Sequence, residues 1–122
     1  MAYDLVLKGG EVIDPGWPFR GKADVAIHKG KIAAVQPDIP ASEAVRVRDV
    51  AGKLVCPGLI DLHAHVFINA HDMGNETDQR CSASGVTTIV DAGSAGSATF
   101  PGLRQSVADR SQVRLRCFVH LS

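Results

Sequence analysis

Asp61, His63 and His65 are the residues whose types and spacing are best suited to chemistry. In an extended strand side chains alternate, so residues two apart share a face. On that rule Asp61, His63 and His65 point one way, and Leu62 and Ala64 the other. Two imidazoles at this spacing can converge on one divalent metal ion, with the rigid backbone limiting how far they splay. The plainer reading is a strand with two partly exposed histidines. A carboxylate on that face needs hydrogen bonds or a positive partner to be tolerated. Asp61 could therefore orient a histidine or hold the adjacent loop.

Other polar residues fall close by in sequence. Asp91 ends the β-branched run at residues 86–90 and opens the loop Asp91-Ala92-Gly93-Ser94-Ala95-Gly96. It is either a polar residue at the mouth of a site or an Asx-type turn residue. His71 and Asp72 follow the histidine strand, and either reach the same mouth or belong to plain surface. His28, at a hairpin tip, and His120, in a late strand, stand outside any metal-ligand spacing. The loop lacks GxxxxGK[ST], and GxGxxG is absent, so phosphate binding has no signature. No G-x-S-x-G elbow or motif-supported Cys–His pair points to covalent hydrolysis.

The elements that must position these residues change character along the chain. Residues 3–8 alternate and stop at Gly9-Gly10, a turn signal, before residues 11–14 resume. The run Asp14-Pro15-Gly16-Trp17-Pro18 is a loop, because its prolines remove donors. Residues 23–28 and 31–36 flank Lys29-Gly30, the clearest hairpin signal. Strands at 44–50 and 54–56 complete a half that reads as a small antiparallel sheet or sandwich. After Pro57-Gly58 the pattern becomes strand 59–66, helix 74–84 stopped by Gly85, strand 86–90, helix 102–110 and strand 113–121. This β-α-β-α-β order is the repeating unit of a parallel α/β fold. Three such strands do not close a barrel of eight. A small open sheet complete in itself is the competing architecture, but its last strand would be uncovered on at least one face.

Composition excludes several classes. The 13 basic and 13 acidic residues cancel, so nothing steers the chain to nucleic acid or an anionic membrane. No apolar run reaches membrane-spanning length, and the first residues lack a signal-peptide pattern. Cys56, Cys81 and Cys117 are odd in number and widely spaced, which reads as reduced, mostly buried thiols in a cytoplasmic protein.

The segments YDLVLKGGEVIDP, DVAIHKGKIAAV and CPGLIDLHAHVF together resemble the N-terminal region of the amidohydrolase superfamily, in its dihydroorotase-like branch of cyclic amidases and deacetylases. GVTTIVDAGSAG, followed by FPGL and the Asp109-Arg110 helix end, resembles the amidohydrolase/deacetylase metallohydrolases within it. The resemblance implies an α/β chain: residues 1–56 as the N-terminal portion of a urease-like β-sandwich, and residues 57–122 as the first three strands of an incomplete (β/α)8 TIM barrel. It implies His63 and His65 as ligands of the more buried divalent metal, usually zinc. The family's other metal-binding groups are a lysine on strand four, histidines on strands five and six, and a proton-accepting aspartate on strand eight. None has a counterpart here, so no catalytic residue is assigned, and a missing C-terminal polypeptide is the expected partner. The expected activity of the full-length protein is hydrolysis of a small-molecule amide, cyclic amide or ester. A truncated, inactive remnant and a small zinc-binding module are the competing readings.

Overall fold

The computed structural model describes residues 2–68, 70, 72 and 74–121. Two units separate by internal packing, Met1–Pro57 and Gly58–Ser122. In the first, the strands are β1 (Tyr3–Asp14), β2 (Phe19–His28), β3 (Lys31–Gln36), β4 (Ala44–Asp49) and β5 (Leu54–Val55). They form one sheet in the order β3-β2-β1-β4, with β5 also on β1. Alternation sets its two faces: Val6, Ala26 and Ala34 lie in one cross-strand row, and Leu7, Val25 and Val35 in the next. The first row packs with Ile39 and Ala44, and the second with Val12 and Ala23.

The hairpin at Lys29-Gly30 is present, with both residues at positive φ (50° and 72°), as a two-residue primed turn requires. Two expectations are corrected. Gly9-Gly10 is no turn. The strand runs straight through, with one extra residue on β1 between the pairs Leu7↔Val25 and Gly10↔Ala23. Gly9 takes φ +76° at this bulge and turns its N–H to Asp24 Oδ1 at 2.8 Å. The sheet is also mixed, because β4 and β5 run parallel to β1. Residues 37–43 carry the chain back to the start of β1, so Ala44 lies opposite Tyr3 and Ala2 N–H donates to Glu43 O.

Asp24 ties this return together. Its buried carboxylate accepts from Lys8 Nζ at 2.7 Å, Gly9 N–H and Ile39 N–H. Lys8 also donates to Asp38 and to Ile39 O. Burial alone would raise the Asp24 pKa, but the bonds from Lys8, Ile39 and Gly9 together outweigh it and hold the group below its usual range.

The second unit is β6 (Leu59–Ala64), α1 (Thr77–Ser84), β7 (Val86–Gly96), α2 (Phe100–Leu103) with a π turn to Ala108, and β8 (Arg114–His120). The three strands are all parallel, in the order β6-β7-β8. Val66, Cys81 and Ile89 form its core. Gly85 ends α1 in the left-handed conformation (φ 74°). The helix begins only at Thr77, three residues later than expected. The second helix starts earlier than residue 102, with Pro101 in its first turn. Residues 91–96, expected as a loop, remain in β7. Their pairing with β8 breaks between Asp91 and Ala95, where the glycine-rich stretch leaves the ladder.

Among the cysteines Cys81 is buried, Cys117 half-buried and Cys56 exposed in the connection after β5, so the expectation of mostly buried thiols fails at Cys56. No helix among the described residues is long and apolar enough to cross a membrane.

Candidate metal centre

His63 is the penultimate residue of β6, and His65 lies just beyond its end. Strict alternation does not carry Asp61, His63 and His65 onto one face. Between the pairs Asp61↔Ile89 and Ala64↔Asp91, β6 holds one residue more than β7. The bulge frees the His63 N–H from the ladder, and Asp61 Oδ1 accepts it at 3.0 Å. Asp61 therefore shapes the backbone of the histidine strand. The two imidazoles come together all the same, with centroids 5.6 Å apart and planes at 73°.

His63 is exposed and His65 half-buried. Rings sharing one tetrahedral zinc ion, with Zn–N bonds of about 2.0–2.1 Å, have centroids roughly 5–6 Å apart. The observed separation fits two ligands of one ion. Among the described residues no group of three or more His, Cys, Asp or Glu side chains is placed to hold a metal.

His65 is the better anchored of the two. Its Nδ1 is 2.9 Å from Ser94 Oγ, in the part of β7 that leaves the ladder. Its carbonyl accepts the Asn75 N–H at 3.0 Å. Asp91 is completely buried and acts on backbone. Oδ1 accepts the N–H groups of Gly93 and Ser94, and Oδ2 accepts that of Val66 at 2.8 Å. The Asx-type turn reading of Asp91 describes the first two bonds, and the third joins β7 to the end of β6. Asp72 is exposed, and His71 lies outside the described residues. Ser94 has no signature in the local sequence. Its role depends on how β6 and β7 align 29 residues apart.

No family model matches the chain. The deacetylase Atu3266 of Agrobacterium fabrum is 38% identical over 92 residues, which are 75% of this chain and 23% of the relative. A dihydroorotase crystal structure superposes with a TM-score of 0.74 at 31% identity, covering 96% of this chain and 31% of that one. The chain belongs to the amidohydrolase superfamily. A D-aminoacylase structure, whose subject is that enzyme's binuclear metal centre, matches with a TM-score of 0.69 at 30% identity, covering 97% and 30%. This amidohydrolase chain thus spans less than a third of each relative, and corresponds to their N-terminal portion. Its fold is the start of the superfamily's β-sandwich followed by the first β-α-β-α-β portion of its barrel.

Proposed function

We propose that the chain supplies the N-terminal metal-binding element of a hydrolase acting on an amide, cyclic amide or ester carbonyl of a small molecule. Residues 1–56 form the sandwich portion and residues 57–122 the opening of the barrel. The observation that carries this is the approach of His63 and His65 at the C-terminal end of β6, the first strand of the parallel unit. Parallel α/β folds build their sites at that end of their strands. His63 and His65 hold zinc and transfer no proton themselves. A zinc ion held there supplies Lewis-acid polarisation of the carbonyl and lowers the pKa of the attacking water. Asp61 fixes the backbone of His63, and the Asp91 carboxylate fixes that of the segment after His65.

The likeness to a deacetylase supports an acylated amine or ester as substrate, and the likeness to a dihydroorotase supports ring opening of a cyclic amide. The remaining ligands and the proton-accepting group come from polypeptide beyond these residues. The three unbridged cysteines fit a reducing, cytoplasmic setting.

A second reading is favoured by the lack of a third donor among the described residues: the chain by itself is an inactive fragment or remnant. One experiment separates the two. The complete product of the gene is purified, its zinc content measured, and N-acyl amino acids, esters and cyclic amides tested as substrates, beside the His63→Ala and His65→Ala variants. Bound zinc and hydrolysis, both abolished in the variants, support the hydrolase. A zinc-free, inert product means the remnant.

A further inference from the structure

We infer that Ser94 and Asp91 are positioning residues for His65, holding its Nδ1 so that Nε2 is the nitrogen turned to a divalent cation. This rests on the metal-centre reading and adds to it two residues that do not themselves touch the ion.

The argument begins with the imidazole. A neutral histidine carries one proton on its two ring nitrogens, and the nitrogen that binds a metal must offer a lone pair. Ser94 Oγ lies 2.9 Å from Nδ1. A hydroxyl there can accept from Nδ1–H, which fixes the tautomer in which Nε2 keeps its lone pair. The ring's angle about its Cβ is fixed by the same contact.

That contact is only as firm as the backbone on each side of it. Ser94 lies where β7 leaves its ladder with β8, and His65 lies beyond the end of β6, so neither is held by regular pairing. Asp91 replaces the missing ladder on both sides at once. Oδ1 accepts the N–H of Ser94 itself at 2.6 Å, and Oδ2 accepts the N–H of Val66, the residue after His65, at 2.8 Å. Gly93, at φ +94°, lets the chain fold tightly enough for Asp91 Oδ1 to take the Gly93 and Ser94 N–H groups together. The result is a closed ring of hydrogen bonds: Asp91 to Ser94, Ser94 to His65, and the residue after His65 back to Asp91. Asp91 and Val66 have no solvent exposure, so these charge-assisted bonds work with little competition from water.

The test uses the complete gene product with 15N-labelled histidine. Imidazole 15N spectra report which nitrogen of His65 carries the proton, and competition with a chelator gives zinc affinity. Ser94→Ala is compared with Ser94→Thr, which keeps the hydroxyl. Expected in the wild type and Ser94→Thr is an Nδ1–H tautomer, with zinc on Nε2. In Ser94→Ala the metal-free ring shifts toward the other tautomer, and zinc binding weakens by about tenfold or more, with backbone amide spectra otherwise unchanged. Wild-type zinc affinity and an unaltered tautomer in Ser94→Ala overturn the inference while leaving the metal centre standing. A wild-type protein that takes up no zinc overturns the metal-centre reading, and the inference with it.

Discussion

Asp91 and Val66 meet across the β6–β7 junction with no exposure of either residue, the carboxylate Oδ2 accepting the Val66 N–H at 2.8 Å. With the Gly93 and Ser94 N–H groups on Oδ1, this one side chain satisfies three backbone donors. Truncation leaves the buried Val66 donor without an acceptor, at a cost of about 1–3 kcal/mol, and frees the half-buried Gly93 and Ser94 donors at a smaller cost each. Asp91→Ala should therefore destabilise the second unit by about 3 kcal/mol or more. Asp91→Asn, which keeps one acceptor oxygen, should fall between the two. Urea unfolding of the three proteins measures this, and an Asp91→Ala midpoint equal to that of the wild type would contradict it.

The Asp24–Lys8 contact gives the first unit a defined acid limit. The folded-state pKa of Asp24 lies below its ordinary value of 3.8. Its contribution is thus complete above that ordinary value and is lost as pH falls through the folded one. Thermal melts should stay level from pH 7 to 5 on this account and drop below about pH 4. Asp24→Asn should lower stability at neutral pH by about 2 kcal/mol, through weakened bonds to Lys8, Gly9 and Ile39, and should flatten the acid drop. A mutant profile parallel to that of the wild type would assign the acid loss to other carboxylates. Asp78, held low by Ser111 and the backbone of Gln112 and Val113, is the next to examine.

Gly74 bears on the loop that returns to His65. A Cβ there would lie 2.7 Å from Ile68 Cα and 2.8 Å from Phe67 O, which are backbone atoms that cannot rotate aside. Gly74→Ala should cost about 1–3 kcal/mol. It should also speed hydrogen exchange at the Asn75 amide, whose bond to His65 O spans that loop. Unchanged exchange at Asn75 would show that the loop absorbs the methyl elsewhere.

The three thiols should label in a fixed order. Cys56 is exposed, whereas Cys81 is 2% exposed and its thiol is pushed up by burial, then by Asp61 and Asp78. Because the thiolate is the reacting form, iodoacetamide at pH 8 should modify Cys56 first and Cys81 last. Mass spectrometry of a time course reads the order directly. Rapid labelling of Cys81 in the native protein would mean that the Val66–Cys81–Ile89 core opens readily.

Local signals in the sequence translated well into structure. Lys29-Gly30 makes its own turn, Gly85 ends its own helix, and the β-branched run before Asp91 makes a parallel strand, buried at Thr88 and Ile89 but exposed at Thr87. What depends on distant alignment did not show. Gly9-Gly10 has the composition of a turn, yet forms a bulge whose Gly9 N–H is taken by Asp24, fifteen residues on. The parallel entry of β4 beside β1 is set by the return through residues 37–43, which carries no periodic mark. The spacing of His63 and His65 anticipates that their rings approach each other. Asp91 was half-readable as a turn residue. Its bond to Val66 and the Ser94–His65 contact follow from the β6–β7 register.

β1 is paired on one side by β2 and on the other by β4 and β5. During synthesis β1 therefore emerges before every strand that pairs with it, and one flank of it waits for partners as late as Leu54 and Val55. Until β4 arrives, Val6, which ends with no solvent exposure and pairs there with Val47, is paired from the β2 side only. During synthesis this interval is when the nascent segment is most open to chaperones or to pairing with a neighbouring chain.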